Sequence, residues 1–148
     1  MGEYTIRDAT CENDVALLTA LESACFTDPW REGEIRSHLG GASAVSMLCL
    51  NQEGDAVGYL FGSCLPPEGE VFRIGVLPQR RGGGIGRIIM SSFLDLLAHM
   101  NADVCFLEVR ESNAAARALY ASVGFETVGL RKNYYKNPTE HALVMRRG

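Results

Sequence analysis

One stretch of the sequence places glycines and arginines directly ahead of an apolar run. Residues 78–90 are PQRRGGGIGRIIM. The first N–H groups of a helix have no partner within the helix and lie at the positive end of its dipole. Glycines in front of them would let a diphosphate reach the backbone, with Arg80, Arg81 and Arg87 adding charge. The stretch is neither a P-loop, because Arg87-Ile88 follow the last glycine, nor the dinucleotide motif G-x-G-x-x-G. A flexible surface turn is the alternative.

A carboxylate interrupts a second apolar segment, VCFLEV at residues 104–109. Glu108 is costly to bury there unless it has a partner or a chemical task. The partner could be Arg110 or Arg131, and the task could be that of a general base. A nucleophilic Cys105 is a rival interpretation. It falls on the opposite strand face from Glu108, and the sequence places no histidine to activate it.

Two polar side chains share one face of the helix that follows. Asn113 and Tyr120 are seven residues apart, which is about two helical turns. The alternatives for these residues are a simple helix cap at Asn113 and a core aromatic at Tyr120. In an acyl transfer that expels a thiolate, a phenol near the sulfur could instead donate a proton.

An alternation of strands and helices must position these residues. Apolar periodicity predicts strands at 3–7, 43–50, 56–65, 71–76, 103–109, 126–135 and 141–147. Helices are predicted at 10–26, 27–41, 84–99 and 112–125. Asp28 is expected to cap the second helix and Gly40 to follow its end. The strand–helix–strand–helix order over 71–124 indicates a parallel pair inside a mixed sheet.

Composition limits the class of protein. The 148 residues, 47% hydrophobic and 22% charged, predict a single globular domain over 1–148. A net charge of −4 argues against a nucleic-acid partner. No segment has the roughly 20 apolar residues of a membrane helix. Five widely spaced cysteines without C-x-x-C favour reduced thiols in the cytoplasm. The three histidines have no metal-ligand spacing, so no metal is predicted.

Several motifs together resemble one enzyme family. Residues 81–86, RGGGIG, resemble the acetyl-CoA pyrophosphate loop of the GNAT N-acetyltransferases. The stretches DPW at 28–30, FLEVRESNAAARALYASVGF at 106–125 and RKNYY at 131–135 resemble the RimI-type ribosomal-protein alanine N-acetyltransferases of that family. The resemblance covers nearly the whole chain. It departs at Gly82, where members often carry a basic side chain that Arg80 could replace.

The resemblance implies an α/β (α+β) GNAT fold. Its mixed, mostly antiparallel sheet would carry helices on both faces and a parallel, splayed strand pair at the acetyl-CoA cleft. It also implies Glu108 as general base, acting directly or through water, and Tyr120 as the acid. The residues implied to bind acetyl-CoA are Ile74, Gly75 and Val76 at the pantetheine, Arg81, Gly82, Gly83, Gly84, Ile85, Gly86 and Arg87 at the diphosphate, and Asn113.

The implied activity is transfer of acetyl from acetyl-CoA, as co-substrate, to a protein N-terminus in a ternary complex. The implied acceptor is an N-terminal alanine of a ribosomal protein, and the residues that could wall its slot are Phe26, Trp30, Tyr134 and Tyr135. Ordinary packing is the alternative for these aromatics. Two other functions stay open, a GNAT enzyme for a polyamine or aminoglycoside and a non-catalytic acyl-CoA-binding module. The oligomeric state, monomer or weak dimer, is also open.

Overall fold

The chain folds around one sheet of seven strands. The computed structural model describes residues 3–10 and 12–148, so Cys11 lies outside the described residues. The strands are β1 (Thr5–Asp8), β2 (Ala44–Leu50), β3 (Ala56–Leu65), β4 (Glu68–Val76), β5 (Val104–Arg110), β6 (Glu126–Tyr135) and β7 (Glu140–Arg147). Their order is β1-β2-β3-β4-β5-β7-β6. The β4–β5 pair is parallel and the other neighbouring pairs are antiparallel, which confirms the predicted mixed sheet.

Four α-helices cover the two faces of this sheet. They are α1 (Asp14–Cys25), α2 (Glu32–Leu39), α3 (Ile85–His99) and α4 (Ala114–Ser122). The apolar sides of α1 and α2 pack on one face, against Tyr59 and Phe61 of β3. α3 and α4 pack on the other face, against Leu60 and Leu107 among others. Helices on both faces were predicted, and the structure confirms them. Within the described residues, no helix has both the length and the apolar character needed to cross a bilayer.

The predicted starts of α2 and β4 are wrong. α2 begins at Glu32, with Arg31 as its N-cap, and the Arg31 N–H donates to the Glu34 carboxylate at 2.9 Å. Asp28 therefore does not cap α2, and its carbonyl oxygen instead accepts a hydrogen bond from Arg73 at 2.5 Å. β4 begins at Glu68 rather than at residue 71, because the segment after the two prolines already pairs with β3.

A bulge in β4 opens the centre of the sheet. β3 pairs Gly62 with Val71 and Phe61 with Arg73, so Phe72 is an extra residue on β4. Such a bulge bends its strand and strengthens the local twist. The parallel pairing of β4 with β5 ends at this point, at Val71. Residues 73–76 of β4 and 108–110 of β5 then border a gap, called the cleft below. The splayed parallel pair was predicted, and the structure confirms it.

Candidate active site

The loop between β4 and α3 presents unpaired amides. Ile88 is the first residue of α3 whose N–H donates to a backbone carbonyl, that of Gly84 at 3.1 Å. Within the described residues, the N–H groups from Gly82 to Arg87 donate no hydrogen bond. Ile85, in the first turn, is buried and anchors this end of α3 in the core. The loop therefore offers a row of donors at the positive end of a four-turn helix, which suits an anion.

The glycines of this loop meet two different physical needs. Gly82 and Gly84 both have φ +85°, in the left-handed region that disfavours other residues. No atom lies within 4 Å of a Cβ placed on either one, so the space in front of the loop is open. At Gly86 a Cβ would lie 3.1 Å from the Leu119 side chain of α4. A side chain at position 86 would therefore crowd the contact between α3 and α4.

Arg81 holds this loop in place. Its Nε donates to the Val76 carbonyl at 3.0 Å, and its terminal nitrogen donates to the Cys25 carbonyl at 3.2 Å. These two bonds join the loop to the end of β4 and to the end of α1. The Arg81 guanidinium therefore binds the loop to β4 and α1. Arg80 and Arg87 are exposed cations near the amides.

The edge of β4 that borders the cleft has backbone groups that do not pair with β3, and of these the Val76 carbonyl accepts the hydrogen bond from Arg81. The Leu77 N–H donates to Val57 of β3 at 3.0 Å. Because backbone groups alternate in direction along a strand, Ile74 and Val76 point theirs away from β3 and into the cleft. Gly75, between them, lies against the Tyr59 ring and leaves no room for a side chain. An extended ligand could add to this edge as a further strand.

Glu108 lies across the cleft, on β5. Leu107 and Val109 face the core under α3, and Glu108 points to the opposite face with a side chain 22% exposed. Arg131 of β6 forms an ion pair with it. The Tyr134 hydroxyl donates a hydrogen bond to Glu108, and this bond, with partial burial, raises the pKa of Tyr134. Of the two partners that the sequence offered, the structure selects Arg131.

Arg110 instead braces the β6–β7 turn. It pairs with Glu140 at 3.3 Å, and its guanidinium carbon lies 4.5 Å from the centre of the Tyr135 ring. Asn133 has φ +51°, and the β6–β7 register is irregular between Arg131 and Tyr135. Tyr134, which interacts with Glu108, lies within this irregular segment.

Tyr120 is buried, and Tyr135 lies within electrostatic reach of both Tyr120 and Glu108. Tyr120 is 6% exposed and packs edge-on against Phe125, with ring centres 6.0 Å apart. Burial raises its pKa above the usual range, and the charge of Tyr135 adds to the rise. Burial, followed by Glu108, raises the pKa of Tyr135 to about 12, while Arg73 lowers it. Tyr135 therefore lies within electrostatic reach of groups on α4, β5 and β4.

Asn113 caps α4. Its side-chain oxygen accepts the Ala116 N–H at 3.1 Å, as an N-cap does. This agrees with the alternative that the sequence offered for Asn113. A contact between Asn113 and a ligand stays a prediction.

The structure separates the four aromatic residues predicted for the acceptor slot. Tyr134 and Tyr135 meet edge-on, with ring centres 5.1 Å apart. Phe26 lies beneath the Arg73 guanidinium, 3.9 Å from the ring centre. Trp30 stacks on Phe61 at 4.7 Å, in the core under α1 and α2. Phe26 and Trp30 thus lie on the α1–α2 side, and the two tyrosines lie at the end of β6, where Tyr134 interacts with Glu108.

Sequence reasoning missed a buried ionic network behind the slot. Glu22 of α1 is fully buried and pairs with Arg73 of β4 at 3.2 Å. It also accepts the Trp30 N–H at 2.7 Å and the Tyr59 hydroxyl. A signal was present, since Glu22 follows Leu18 by four residues on the apolar side of α1. Arg73 interrupts an apolar strand, as Glu108 does.

Cys105 lacks the surroundings of a nucleophile. It is buried on the core side of β5, where burial raises the pKa of its thiol to about 12. The other described cysteines, Cys25, Cys49 and Cys64, are also free thiols. A thiol this hard to ionise does not act readily as a nucleophile at neutral pH.

Comparison with known proteins assigns the fold and the cleft to a family. The sequence pattern of the acetyltransferase (GNAT) family matches residues 15–125. The chain belongs to the GNAT acetyltransferase family. Members of this family are acetyl-CoA-dependent acetyltransferases, and this chain is an enzyme of that kind.

Individual relatives place the chain within this GNAT family. The N-alpha-acetyltransferase RimI of Mycobacterium tuberculosis is 38% identical, over 90% of this chain and 86% of that protein. The [ribosomal protein bS18]-alanine N-acetyltransferase of Haemophilus influenzae is 32% identical, over 89% of this chain and 90% of that protein. The crystal structure of the ribosomal-protein-S18-alanine N-acetyltransferase from Escherichia coli has a TM-score of 0.90 at 29% identity, covering 98% of this chain and 93% of that one. These similarities confirm the resemblance to the RimI-type GNAT enzymes.

Proposed function

We propose that this GNAT enzyme acetylates the N-terminal amine of a protein, and that its acceptor is the N-terminal alanine of a ribosomal protein. The observation that carries the proposal is the cleft itself, with free amides at one end and the Glu108 carboxylate at the other. The acceptor class is supported by relatives named as alanine N-acetyltransferases of ribosomal protein bS18.

Acetyl-CoA fits the groups that line the cleft. Its diphosphate would accept hydrogen bonds from the amides of residues 82–87, where no side chain blocks the approach at Gly82 or Gly84. Its pantetheine would extend along Ile74 and Val76, whose backbone groups point into the cleft. Arg80 is the cation best placed in sequence to replace the basic side chain that other members carry at position 82.

The residues around the cleft can supply a proton acceptor and a proton donor for the reaction. The acceptor arrives as an ammonium and gives one proton to the Glu108 carboxylate, directly or through a water. The neutral amine then attacks the thioester carbon, and the C–S bond breaks as the C–N bond forms. Tyr120 gives its hydroxyl proton to the departing thiolate. The nitrogen loses its second proton as the amide forms, and that proton restores the Tyr120 hydroxyl, so the net reaction releases the CoA thiol and the one proton taken up by Glu108. The raised pKa of Tyr120 keeps that proton in place at neutral pH until the thiolate appears.

The acceptor slot would lie between the end of α1 and the β6–β7 turn. Phe26 borders it on one side, and Tyr134 with Tyr135 borders it on the other. Glu70, whose pKa is raised by burial and by the charge of Glu108, adds a second carboxylate on this side. Two carboxylates favour a cationic group, which a free N-terminus provides.

Acetylation of a defined peptide panel tests the proposal. A peptide that begins with the N-terminal alanine of ribosomal protein bS18 should be acetylated on its α-amine, as located by fragment mass spectrometry. The same peptide blocked at its N-terminus but carrying a lysine should not react. Preferential acetylation of spermidine or an aminoglycoside would favour the small-amine alternative, and no release of free thiol with any acceptor would favour a binding module.

A further inference from the structure

The free protein already holds a cation where the acceptor ammonium is expected. Arg131 contacts the Glu108 carboxylate through its Nε. Its charge also acts on Glu70, where it opposes the raised pKa caused by burial and by Glu108. The Arg131 guanidinium carbon lies 5.6 Å from the centre of the Tyr134 ring. The Glu108 carboxylate and an aromatic face therefore border this cation, and Glu70 lies within its electrostatic reach.

The same groups are those that an ammonium would use. Carboxylates pair with cations of either type, and an aromatic face attracts both guanidinium and ammonium groups. An acceptor amine must come within hydrogen-bond reach of Glu108, directly or through a water, to lose its proton. The guanidinium and the ammonium would repel each other if both stayed beside Glu108. Binding of the acceptor therefore requires Arg131 to move.

Arg131 can move at small cost. Its side chain is 59% exposed and projects from β6, which is an edge strand of the sheet. An ion pair exposed to this degree is weak, because water screens it and the long side chain loses freedom when it forms. Glu108, only 22% exposed, is the fixed member of the pair.

We propose that Arg131 is a built-in competitor for the acceptor site. It occupies the Glu108 carboxylate in the free enzyme and swings into solvent when a peptide N-terminus enters. Displacing Arg131 costs every acceptor the same free energy, which a peptide offsets through contacts of its backbone and following residues in the slot, whereas a simple amine offers only its charge. The inference rests on the proposed function, since it concerns the same acceptor.

Kinetics of Arg131→Gln provide the test. With saturating acetyl-CoA, kcat and KM are measured for a peptide with an N-terminal alanine and for alaninamide, which has the amine but little else. We expect KM to fall by about fivefold for both acceptors, the range available to an exposed ion pair, with kcat changed by less than about twofold. Lys132→Gln, which removes the same charge from the next residue of β6, should leave KM unchanged, and Arg131→Lys should resemble the parent.

Loss of packing does not improve the binding of a substrate, so a lower KM cannot arise from structural damage. If KM rises or stays the same for both acceptors in Arg131→Gln, Arg131 does not compete with the acceptor and the inference is wrong. Methylguanidinium gives a second readout, because it should inhibit Arg131→Gln competitively with alaninamide and inhibit the parent less. Equal inhibition of the two proteins would also overturn the inference. A parent enzyme that fails to acetylate the alanine peptide would instead contradict the proposed function.

Discussion

The backbone of Glu108 is fixed, and its carboxylate lies where a substrate in the cleft could reach it. Its strand neighbours are buried on the opposite face, which fixes its backbone, and Tyr134 donates a hydrogen bond to its carboxylate. Arg131 is its main partner and is itself largely exposed. A carboxylate held in this way does not depend on its ion pair for its position. It is therefore free to exchange the partner for a substrate.

Replacement of Glu108 by Gln tests the general base. We expect the acetylation rate near neutral pH to fall by about 10²-fold or more, because the acceptor ammonium loses its proton acceptor. The affinity for acetyl-CoA, measured by calorimetry, should change little. The deficit should shrink above about pH 8, where an α-amino group is already neutral. The exposed Glu126→Gln is a matched control and should behave as the parent. A deficit that is uniform across pH would assign Glu108 a positioning role.

Replacement of Tyr120 by Phe tests the proton donor. The ring and its contact with Phe125 are retained, so the variant should fold. The rate with acetyl-CoA should fall by about 10²-fold, because only the proton for the thiolate is lost. An acetyl thioester of an acidic aryl thiol needs little protonation, and parent and variant should use it almost equally if the enzyme accepts it. Equal deficits with both donors, or no deficit with acetyl-CoA, would make Tyr120 a core aromatic.

Some of these residues could be identified from the sequence alone, and others could not. Glu108 and Asn113 were visible because a charge in an apolar strand and an amide at a helix start each break a local pattern. The choice of Arg131 over Arg110 was not visible, since it depends on the register shift between Thr127 and Gly129, which places Arg131 opposite Ala142. The link from Glu22 to Arg73 joins residues far apart in the chain, and a single sequence gives no measure of such distances.

At the scale of elements, one extra residue creates the cleft. Phe72 interrupts the β3–β4 register at the point where β4 stops pairing with β5. The strand order along the chain was enough to predict a parallel pair with a glycine loop beside it. The starts of α2 and β4 were misplaced for a physical reason. The Asp28 carbonyl oxygen accepts a hydrogen bond from Arg73. A Cβ on Gly69 would overlap Leu97 of α3, so this glycine is needed for helix packing and lies within β4.

Two substitutions of Gly84 distinguish the effect of an added charge from the effect of backbone strain on acetyl-CoA binding. Gly84→Ala places a side chain at φ +85° and should show the cost of that conformation alone. Gly84→Asp adds the same strain and a negative charge where the diphosphate is expected. By calorimetry, the Asp variant should bind acetyl-CoA at least about tenfold more weakly than the Ala variant, while the two melt at similar temperatures. Equal affinities would show that the diphosphate lies elsewhere.

At the scale of the whole molecule, the sheet separates two cores that have different tasks. The core under α3 and α4 holds Ile85 of the loop and Tyr120, and the core under α1 and α2 packs against Phe26 and Trp30, on the side proposed for the acceptor. The His38 side chain of α2 lies beside the core under α1 and α2. Its ring meets those of Trp30, Phe61 and Phe72 at centre distances of 5.6, 5.4 and 5.7 Å. Within the described residues, its buried Nε2 has no hydrogen-bond partner.

This environment predicts a pH-dependent stability. Burial lowers the pKa of His38, so the folded protein resists protonation there while the unfolded chain accepts a proton below about pH 6.5. The unfolded state then binds more protons, and stability falls as the pH drops through that window. We expect the loss of Tm between about pH 7.5 and pH 5.5 to be smaller in His38→Leu than in the parent. The exposed His99→Gln is the control and should follow the parent. Parallel Tm profiles for parent and His38→Leu would contradict this prediction.

The most direct test of the account is the state of ribosomal protein N-termini in the organism that makes this chain. N-terminal peptides are compared by mass spectrometry in the parent strain, in a strain without the chain, and in that strain supplied with either the parent chain or Glu108→Gln. The account predicts that an N-terminal alanine of a ribosomal protein loses its acetyl group without the chain, regains it with the parent chain, and does not regain it fully with Glu108→Gln. Ribosomal protein N-termini that are identical in all four strains would contradict the account.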